Sequence, residues 1–172
     1  MEFFYGASPH WARKDRWLMN QKMIRVSLVV FVFLGLIGCA KTSKAPVESS
    51  DTAKSFETVD DKGVVYLYRR GRAVGAAVAT QVKINGNDAG GTGPGTFFRW
   101  ELKPGTYVFS ASTTESSAAV EIEIEAGQLY FVEQNQRIGL SSGRVQIDIR
   151  DEATGMAAVQ GLKLLVSTYI PE

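Results

Sequence analysis

Cysteine and histidine are nearly absent from this chain of 172 residues, which has one of each. The single cysteine, Cys39, cannot form an intramolecular disulfide, and no CxxC or CxxxH spacing offers a zinc site. The formal net charge is only +1, whereas proteins that bind nucleic acid carry a clear excess of lysine and arginine. These scarcities argue against a disulfide scaffold, a zinc module and a nucleic-acid partner.

The sequence also lacks an apolar run long enough to cross a membrane, which needs about 20 residues. Residues 26–37 form a shorter apolar run, and Lys22 and Arg25 precede it. A basic start, an apolar core of about 7–15 residues and a small residue at the exit are typical of a secretory signal peptide. We therefore predict a helical signal peptide over residues 1–38.

Cys39 stands at the exit of this apolar run. Leu36, Ile37, Gly38 and Cys39 resemble the lipobox of bacterial lipoproteins. The resemblance implies cleavage between Gly38 and Cys39, with diacylglycerol on the thiol and commonly an acyl group on the new amino terminus. Because stable anchoring takes about two lipid chains, we expect the covalent lipid on Cys39 to hold the processed protein at the membrane. No cofactor is expected. The alternative is a small buried thiol near a helix end.

The first 18 residues differ from a usual signal peptide, since acidic and aromatic side chains precede the basic segment. Met19 or Met23 would each begin a more conventional signal, so residues 1–18 are a candidate for a misassigned start at Met1. Ala40 and Lys41 follow the cysteine, with no aspartate there. This resembles lipoproteins sorted to the outer membrane of Gram-negative bacteria, and the expected location is the periplasmic side of that membrane; the choice between inner and outer membrane stays open.

Removal of residues 1–38 changes the chemistry that is available. The remaining chain has 14 Lys and Arg against 16 Asp and Glu, and His10 is gone. Ser-His-Asp and Cys-His machinery and imidazole metal sites are thereby excluded. Catalysis by carboxylates, lysine or tyrosine stays open.

Polar residues dominate the stretch after the cysteine, and little hydrophobic periodicity is present over residues 40–59. We predict a lipidated N-terminus and flexible linker over residues 39–59. A flexible chain of 20 residues spans about 25 Å.

Apolar and polar residues alternate through most of the remaining sequence, with turn signals such as Asn85-Gly86 between the runs. This pattern indicates a β-sandwich or small barrel, and the length favours an all-β, immunoglobulin-like β-sandwich of about seven strands over residues 60–166. One short C-terminal helix is predicted within residues 151–165, and residues 167–172 form a tail. The predicted strands are 64–69, 80–84, 96–102, 107–112, 119–125, 129–134 and 144–150.

Several segments in order carry a family resemblance: "YLYRRGR" at 66–72, "VKINGNDAG" at 82–90, "GTFFRWELKPGTYVFSAS" at 95–112, "IEAGQLYFVEQ" at 124–134 and "DEATGMAAV" at 151–159. Behind a lipobox, this set resembles the bacterial lipoprotein family known as domain of unknown function 2846, over residues 60–165. The resemblance implies an exported β-rich domain and supplies no catalytic residues.

Other constellations have simpler interpretations. The glycine-rich 90–96 lacks the GK[ST] of a phosphate-binding loop and precedes a strand, so a hairpin loop is expected. Asn85, Asn87 and Asp88 lack the spacing of a calcium loop, and no metal site is predicted. Three glutamates on one strand face are expected to be solvated: Glu121, Glu123 and Glu125.

The candidate binding patch combines aromatic and cationic side chains: Tyr66, Tyr68, Arg69, Arg70 and Arg72. Exposed together, they would form a platform for an envelope protein or a cell-wall glycan. The alternative places the tyrosines in the core and the arginines in water.

Three hypotheses for function follow. The first is a lipid-anchored binding module that has no catalytic residues. The second is a hydrolase of cell-wall material that uses carboxylates such as Glu101, Asp148 or Asp151, which requires two of them to converge in a cleft. The third is a passive structural lipoprotein.

Overall fold

The computed structural model describes residues 42–72, 79–137, 139–140 and 143–171. The predicted signal peptide, with Gly38 and Cys39, lies outside these residues. Neither helix found among the described residues has the length and apolar character that a membrane span requires.

Nine strands and two helices make up the part of the chain that the structure describes. The all-β class and the short C-terminal helix are confirmed, and each of the seven predicted strands is present. In chain order the elements are α1 (Val47–Ala53), β1 (Gly63–Arg69), β2 (Thr80–Ile84), β3 (Asn87–Thr92), β4 (Thr96–Leu102), β5 (Gly105–Ser112), β6 (Ser117–Ile124), β7 (Leu129–Arg137), β8 (Arg144–Arg150), α2 (Glu152–Val159) and β9 (Lys163–Leu164).

Two sheets contain these strands, in the orders β8-β7-β1-β4-β9 and β3-β2-β5-β6. The pairs β1/β7 and β4/β9 are parallel, whereas the other pairs are antiparallel. The sheets of an immunoglobulin domain are antiparallel. The two parallel pairs here therefore give a strand topology that differs from the immunoglobulin topology that the size suggested.

The last three residues of strand β3, 90–92, fall within the glycine-rich loop predicted over residues 90–96. The strand pairs instead with β2 after a turn at Asn85 and Gly86, whose φ angles of 49° and 81° match the hairpin turn that Asn-Gly favours. The predicted loop over residues 90–96 is therefore wrong for residues 90–92. Glycine weakens a strand by itself, and this strand forms because its backbone groups find partners in β2.

Two apolar cores lie on opposite sides of the five-stranded sheet. The first fills the space between the two sheets and includes Leu67, Phe98 and Phe109. The second lies between the five-stranded sheet and the segments around α1 and α2, and includes Tyr66 and Phe131. Every residue of β1 is buried because this central strand contributes to both cores.

The predicted flexible linker is wrong for residues 42–59, which pack on the domain. The Gly91 N–H donates to Thr42 Oγ1 at 2.6 Å, and the Val166 N–H donates to the Ser43 carbonyl at 2.9 Å. Further along, the Tyr66 hydroxyl donates to the Ala53 carbonyl at 2.8 Å. Hydrogen bonds that involve backbone groups hold this segment, together with the packing of Ala53, Phe56 and Val59 in the second core. A mostly polar sequence without periodicity does not reveal these contacts.

The predicted tail from residue 167 also contacts the domain. The Trp100 indole N–H donates to Ser167 Oγ at 2.9 Å, and Thr168 N–H donates to the Ala89 carbonyl at 3.3 Å. The folded unit therefore extends past both ends of the predicted 60–166 domain.

Candidate functional site

The helices cover only part of the outer face of the five-stranded sheet. On β7, Phe131 lies beneath α2, and alternation places Glu133, Asn135 and Arg137 further along the same face. On β8, Ile147 packs toward the other sheet, so its neighbours point outward. The half of this face that the described helices leave uncovered is therefore polar.

We call this surface the arginine face. It consists of Arg70, Arg72, Glu133, Asn135, Arg137, Arg144, Gln146, Asp148 and Arg150. Five of the seven arginines that follow Cys39 lie here, together with two acidic residues. A formal charge of about +3 is thus concentrated on one face of a chain whose total after Cys39 is −2.

A buried carboxylate forms the centre of the arginine face. The Glu133 side chain is 5% exposed, and its Oε1 lies 2.9 Å from Arg70 Nε. Arg150 Nε donates to the other oxygen, Oε2, at 2.7 Å, and Arg150 Nη2 donates to Asp148 Oδ2 at 3.3 Å. The hydrogen bond to Glu133 raises the pKa of the Arg150 guanidinium. Two arginines therefore share one carboxylate, and Glu133 fixes their side chains.

Three other arginines of this face form no ion pair among the described residues: Arg72, Arg137 and Arg144. Arg137 and Arg144 are direct partners in the β7/β8 register, a position where like charges repel. Arg137 Nε donates to the neutral Gln146 Oε1 at 2.8 Å. Positive charge is thus left uncompensated where β7 ends and β8 begins.

A shallow polar depression opens on this face, with a volume of about 380 Å³. Arginines and amide side chains line most of it, together with Glu133 and Asp148. The Gln136 side chain points between the sheets, where its amide nitrogen donates to Thr80 Oγ1, so Asn135 and Gln146 are the amides that face outward. The depression therefore combines cationic donors with amide groups that can both donate and accept.

Tyr68 adds a second buried polar group beside this cluster. Its side chain is fully buried, and its hydroxyl makes no hydrogen bond within the described part of the chain. Burial raises the pKa of the Tyr68 hydroxyl, and the charge of Glu133 raises it further, while nearby Arg70 lowers it. The hydroxyl is neutral at physiological pH and lies in the field of the Arg70–Glu133 pair.

The five residues of the predicted patch do not form one surface. Tyr66 and Tyr68 are fully buried, as the alternative interpretation expected. Arg69 is 3% exposed and points between the sheets, where Nη1 lies 3.4 Å from the Thr92 carbonyl. The exposed aromatic platform is therefore wrong, and so is the expectation that Arg69 faces water.

Arg70 and Arg72 belong to the arginine face, but the sequence interpretation missed most of its other members. Glu133, Arg137 and Arg150 join them because β1 lies parallel to β7, which in turn pairs with β8. A usable signal was present in "RVQIDIR" at 144–150, because strand alternation places its two arginines, glutamine and aspartate on one side.

The three carboxylates of the hydrolase hypothesis are separated by the fold. Glu101 lies on β4, which is three strand spacings, or about 14 Å, from the β8 residue Asp148. Asp151 lies three residues beyond Asp148 along extended chain, or about 10 Å. Paired glycosidase carboxylates lie about 5–9.5 Å apart.

Each of these carboxylates also has a partner within the domain. Glu101 Oε1 accepts from Arg99 Nη1 at 2.7 Å, and Asp148 accepts from Arg150. Asp151 caps α2 by accepting from the Thr154 N–H at 2.9 Å, which lowers the pKa of its carboxyl. All three stabilise local structure.

Two of the polar residues considered as a calcium site have hydrogen-bond partners within the domain. Asn85 Oδ1 accepts from the Val108 N–H at 2.8 Å, and Asp88 accepts from Gln81. Across the described ranges, no set of three or more His, Cys, Asp or Glu side chains could hold a metal ion. The glutamate face of β6 and the turn after it is exposed as predicted, at Glu121, Glu123 and Glu125.

Comparison with known proteins supports the family resemblance. Residues 59–146 match the family described as "Protein of unknown function (DUF2846)". This match starts close to where the predicted 60–165 starts and ends before its C-terminal helix. A protein of Haemophilus influenzae (strain ATCC 51907 / DSM 11121 / KW20 / Rd) is 29% identical over 153 residues. The alignment covers 88% of this chain and 89% of that relative, whose name is "Uncharacterized protein".

Proposed function

The chain belongs to the DUF2846 family of proteins of unknown function, and on that premise we propose that it is a lipid-anchored protein of the bacterial envelope. Its β domain is a non-catalytic module that binds an envelope protein or a cell-wall glycan through the arginine face. The observation that carries the binding role is the concentration of five arginines against two acidic residues on the half-sheet that the described helices do not cover. Such a surface recognises a partner by charge and planar hydrogen bonding.

The state of the carboxylates supports binding over hydrolysis. Glu101, Asp148 and Asp151 are separated by about 10 Å or more, and each one accepts a hydrogen bond within the domain. General acid–base chemistry needs carboxyl groups that face the same reacting atoms. These three carboxyl groups do not share a cleft.

The anchor is proposed from the Leu36–Cys39 motif, and the packed segment after it limits how far the domain can move from the bilayer. Cys39 lies three residues before Thr42, a distance of at most about 11 Å along a fully extended chain. Thr42 is hydrogen-bonded to Gly91 of the edge strand β3, and Ala45 to Leu164 of the edge strand β9. A lipid on Cys39 therefore holds the β3 and β9 edges next to the membrane.

This arrangement directs the arginine face away from the membrane. β8 and β9 are the opposite edges of the five-stranded sheet, four strand spacings or about 19 Å apart. Because the anchor holds the β9 edge, the β7/β8 edge is presented to the aqueous compartment. A partner of the arginine face is then a soluble or wall-bound component.

Mass spectrometry of protein purified from membranes tests the anchor. The expected result is an acylated peptide that begins at Cys39, together with loss of membrane attachment in Cys39→Ser. An unmodified thiol that still carries residues 1–38 would contradict the anchoring.

Partner capture tests the binding role in the same preparation. The detergent-solubilised protein should retain a partner that the triple variant Arg72→Ala/Arg137→Ala/Arg144→Ala loses. These side chains are exposed, so the variant should fold with little loss of stability. Lys83→Ala is the matched control, because Lys83 is exposed on the other sheet. Equal capture by the wild type and the triple variant would contradict the proposed site.

A further inference from the structure

We infer that the ligand of the arginine face is an acidic peptide segment with at least two carboxylates on neighbouring side chains. The inference rests on the proposed function for the identity of the site and adds the chemical class of what binds there. It is carried by three features: the uncompensated charge, its spacing across three strands and the amide groups of the depression.

The charge calls for more than one negative group. Glu133 and Asp148 are already engaged by Arg70 and Arg150. Arg72, Arg137 and Arg144 have no carboxylate partner among the described residues, and the last two oppose each other across β7 and β8. A bound anion would remove this repulsion, and two carboxylates would leave a charge of about +1 on the face.

The spacing favours separate carboxylates over one compact anion. The three arginines belong to three adjacent strands: Arg72 follows β1, Arg137 ends β7 and Arg144 begins β8. Neighbouring strands are about 4.8 Å apart, so their backbones span about 10 Å. Alternate side chains of an extended peptide lie about 7 Å apart on one side. A peptide with acidic residues at positions i and i+2 can therefore place one carboxylate at each end of the row.

The amide groups favour a peptide over a simple polyanion. Asn135 and Gln146 line the depression between the arginines. The Asn135 amide lies on the outward side of β7 with Glu133 and Arg137, and it can both donate to and accept from a peptide backbone. A phosphodiester offers only acceptors and could not donate to the Asn135 carbonyl oxygen.

A titration followed by fluorescence anisotropy tests the inference on the full mature protein in detergent. The probe is a labelled, capped Glu-Ser-Glu-Ser peptide, and the reference is the Gln-Ser-Gln-Ser peptide of the same length. We expect saturable one-to-one binding of the acidic peptide, at least about tenfold tighter than the neutral one. Added salt should weaken it.

Substitutions locate the binding on the protein. Arg137→Ala and Arg144→Ala should each weaken binding of the acidic peptide by about tenfold, as expected for one charge-assisted hydrogen bond. Arg137→Lys should recover part of the loss, because it keeps the charge without the planar fork. Lys83→Ala removes one positive charge from the opposite sheet and should change the affinity by less than about twofold.

Three results would overturn the inference: equal affinity for the two peptides, unchanged affinity in both arginine variants, or saturable binding of inorganic phosphate with none of the acidic peptide. These outcomes are independent of the anchor. If the peptide binds and Cys39 is unmodified, the proposed location fails and the ligand inference holds. If Cys39 is acylated and the peptide does not bind, the ligand inference fails alone.

Discussion

Glu133→Gln should have opposite effects on stability and on ligand affinity. The substitution keeps the shape of the side chain and removes one negative charge from the centre of the arginine face. The carboxylate is 5% exposed and is held by Arg70 and Arg150, whose side chains are 39% and 37% exposed. The glutamine can accept from only one of them with its single carbonyl oxygen.

The loss of stability follows from the exposure of the partners. Breaking a fully buried ion pair costs about 3–5 kcal/mol, but both arginines here are more than one-third exposed and water screens them. We therefore expect the free energy of unfolding to fall by about 1–2 kcal/mol, which lowers Tm by about 4–8 °C in a domain of this size. Urea unfolding followed by circular dichroism gives the first value, and a thermal scan gives the second.

The gain in affinity follows from the charge. Two unit charges about 10 Å apart interact by about 0.8 kcal/mol at an effective dielectric constant near 40, so removal of the Glu133 charge should tighten binding of the acidic peptide about fourfold. Glu121→Gln is the control, because Glu121 is exposed on β6 of the other sheet. Weaker or unchanged binding by Glu133→Gln would refute the assignment of Glu133 as the internal counter-charge of the site.

Two further predictions concern the packing that holds the face in place. Gly155→Ala should lower the free energy of unfolding by about 2 kcal/mol despite the higher helix propensity of alanine, because the new Cβ would meet the Phe131 ring at 2.1 Å. Gly161→Ala is the control: its Cβ meets nothing within 4 Å, and the substitution should be neutral. Urea unfolding of both variants checks this, and a stabilised Gly155→Ala would contradict the packing of α2 on β7. Tyr66→Phe should lower the free energy of unfolding by about 1–2 kcal/mol in the same assay, since it leaves the buried Ala53 carbonyl without its donor. An unchanged unfolding midpoint would show that other contacts hold the segment before β1.

Local patterns predicted seven of the nine strands because each of these seven has a clear alternation or a clear turn. Asn85-Gly86 marks a hairpin with both residues at positive φ, and Val145, Ile147 and Ile149 alternate with polar residues along β8. Asp151 caps the C-terminal helix at the position where an acidic residue is favoured.

The arginine face could not be predicted from local patterns, because it depends on which strands are neighbours. Arg70 and Glu133 are far apart in the sequence and meet only because β1 lies parallel to β7. The packed 42–59 segment escaped prediction for a different reason: hydrogen bonds to backbone groups and a few apolar side chains, Ala53, Phe56 and Val59, hold it, and these leave no periodic signal in the sequence. The alternative interpretation placed Tyr66 and Tyr68 in a core, whereas the burial of Arg69 between the sheets has no signal in the sequence.

Site-specific photo-cross-linking in living cells tests whether the arginine face binds an acidic partner. A photoreactive residue at Gln146 reports on the arginine face, and one at Lys83 reports on the opposite sheet of the same anchored protein. We expect a cross-linked adduct from position 146 alone, with a segment bearing at least two acidic residues at the attachment point when the adduct is sequenced by mass spectrometry. Adducts of equal yield from both positions, or a position-146 adduct that carries no acidic residue, would contradict it.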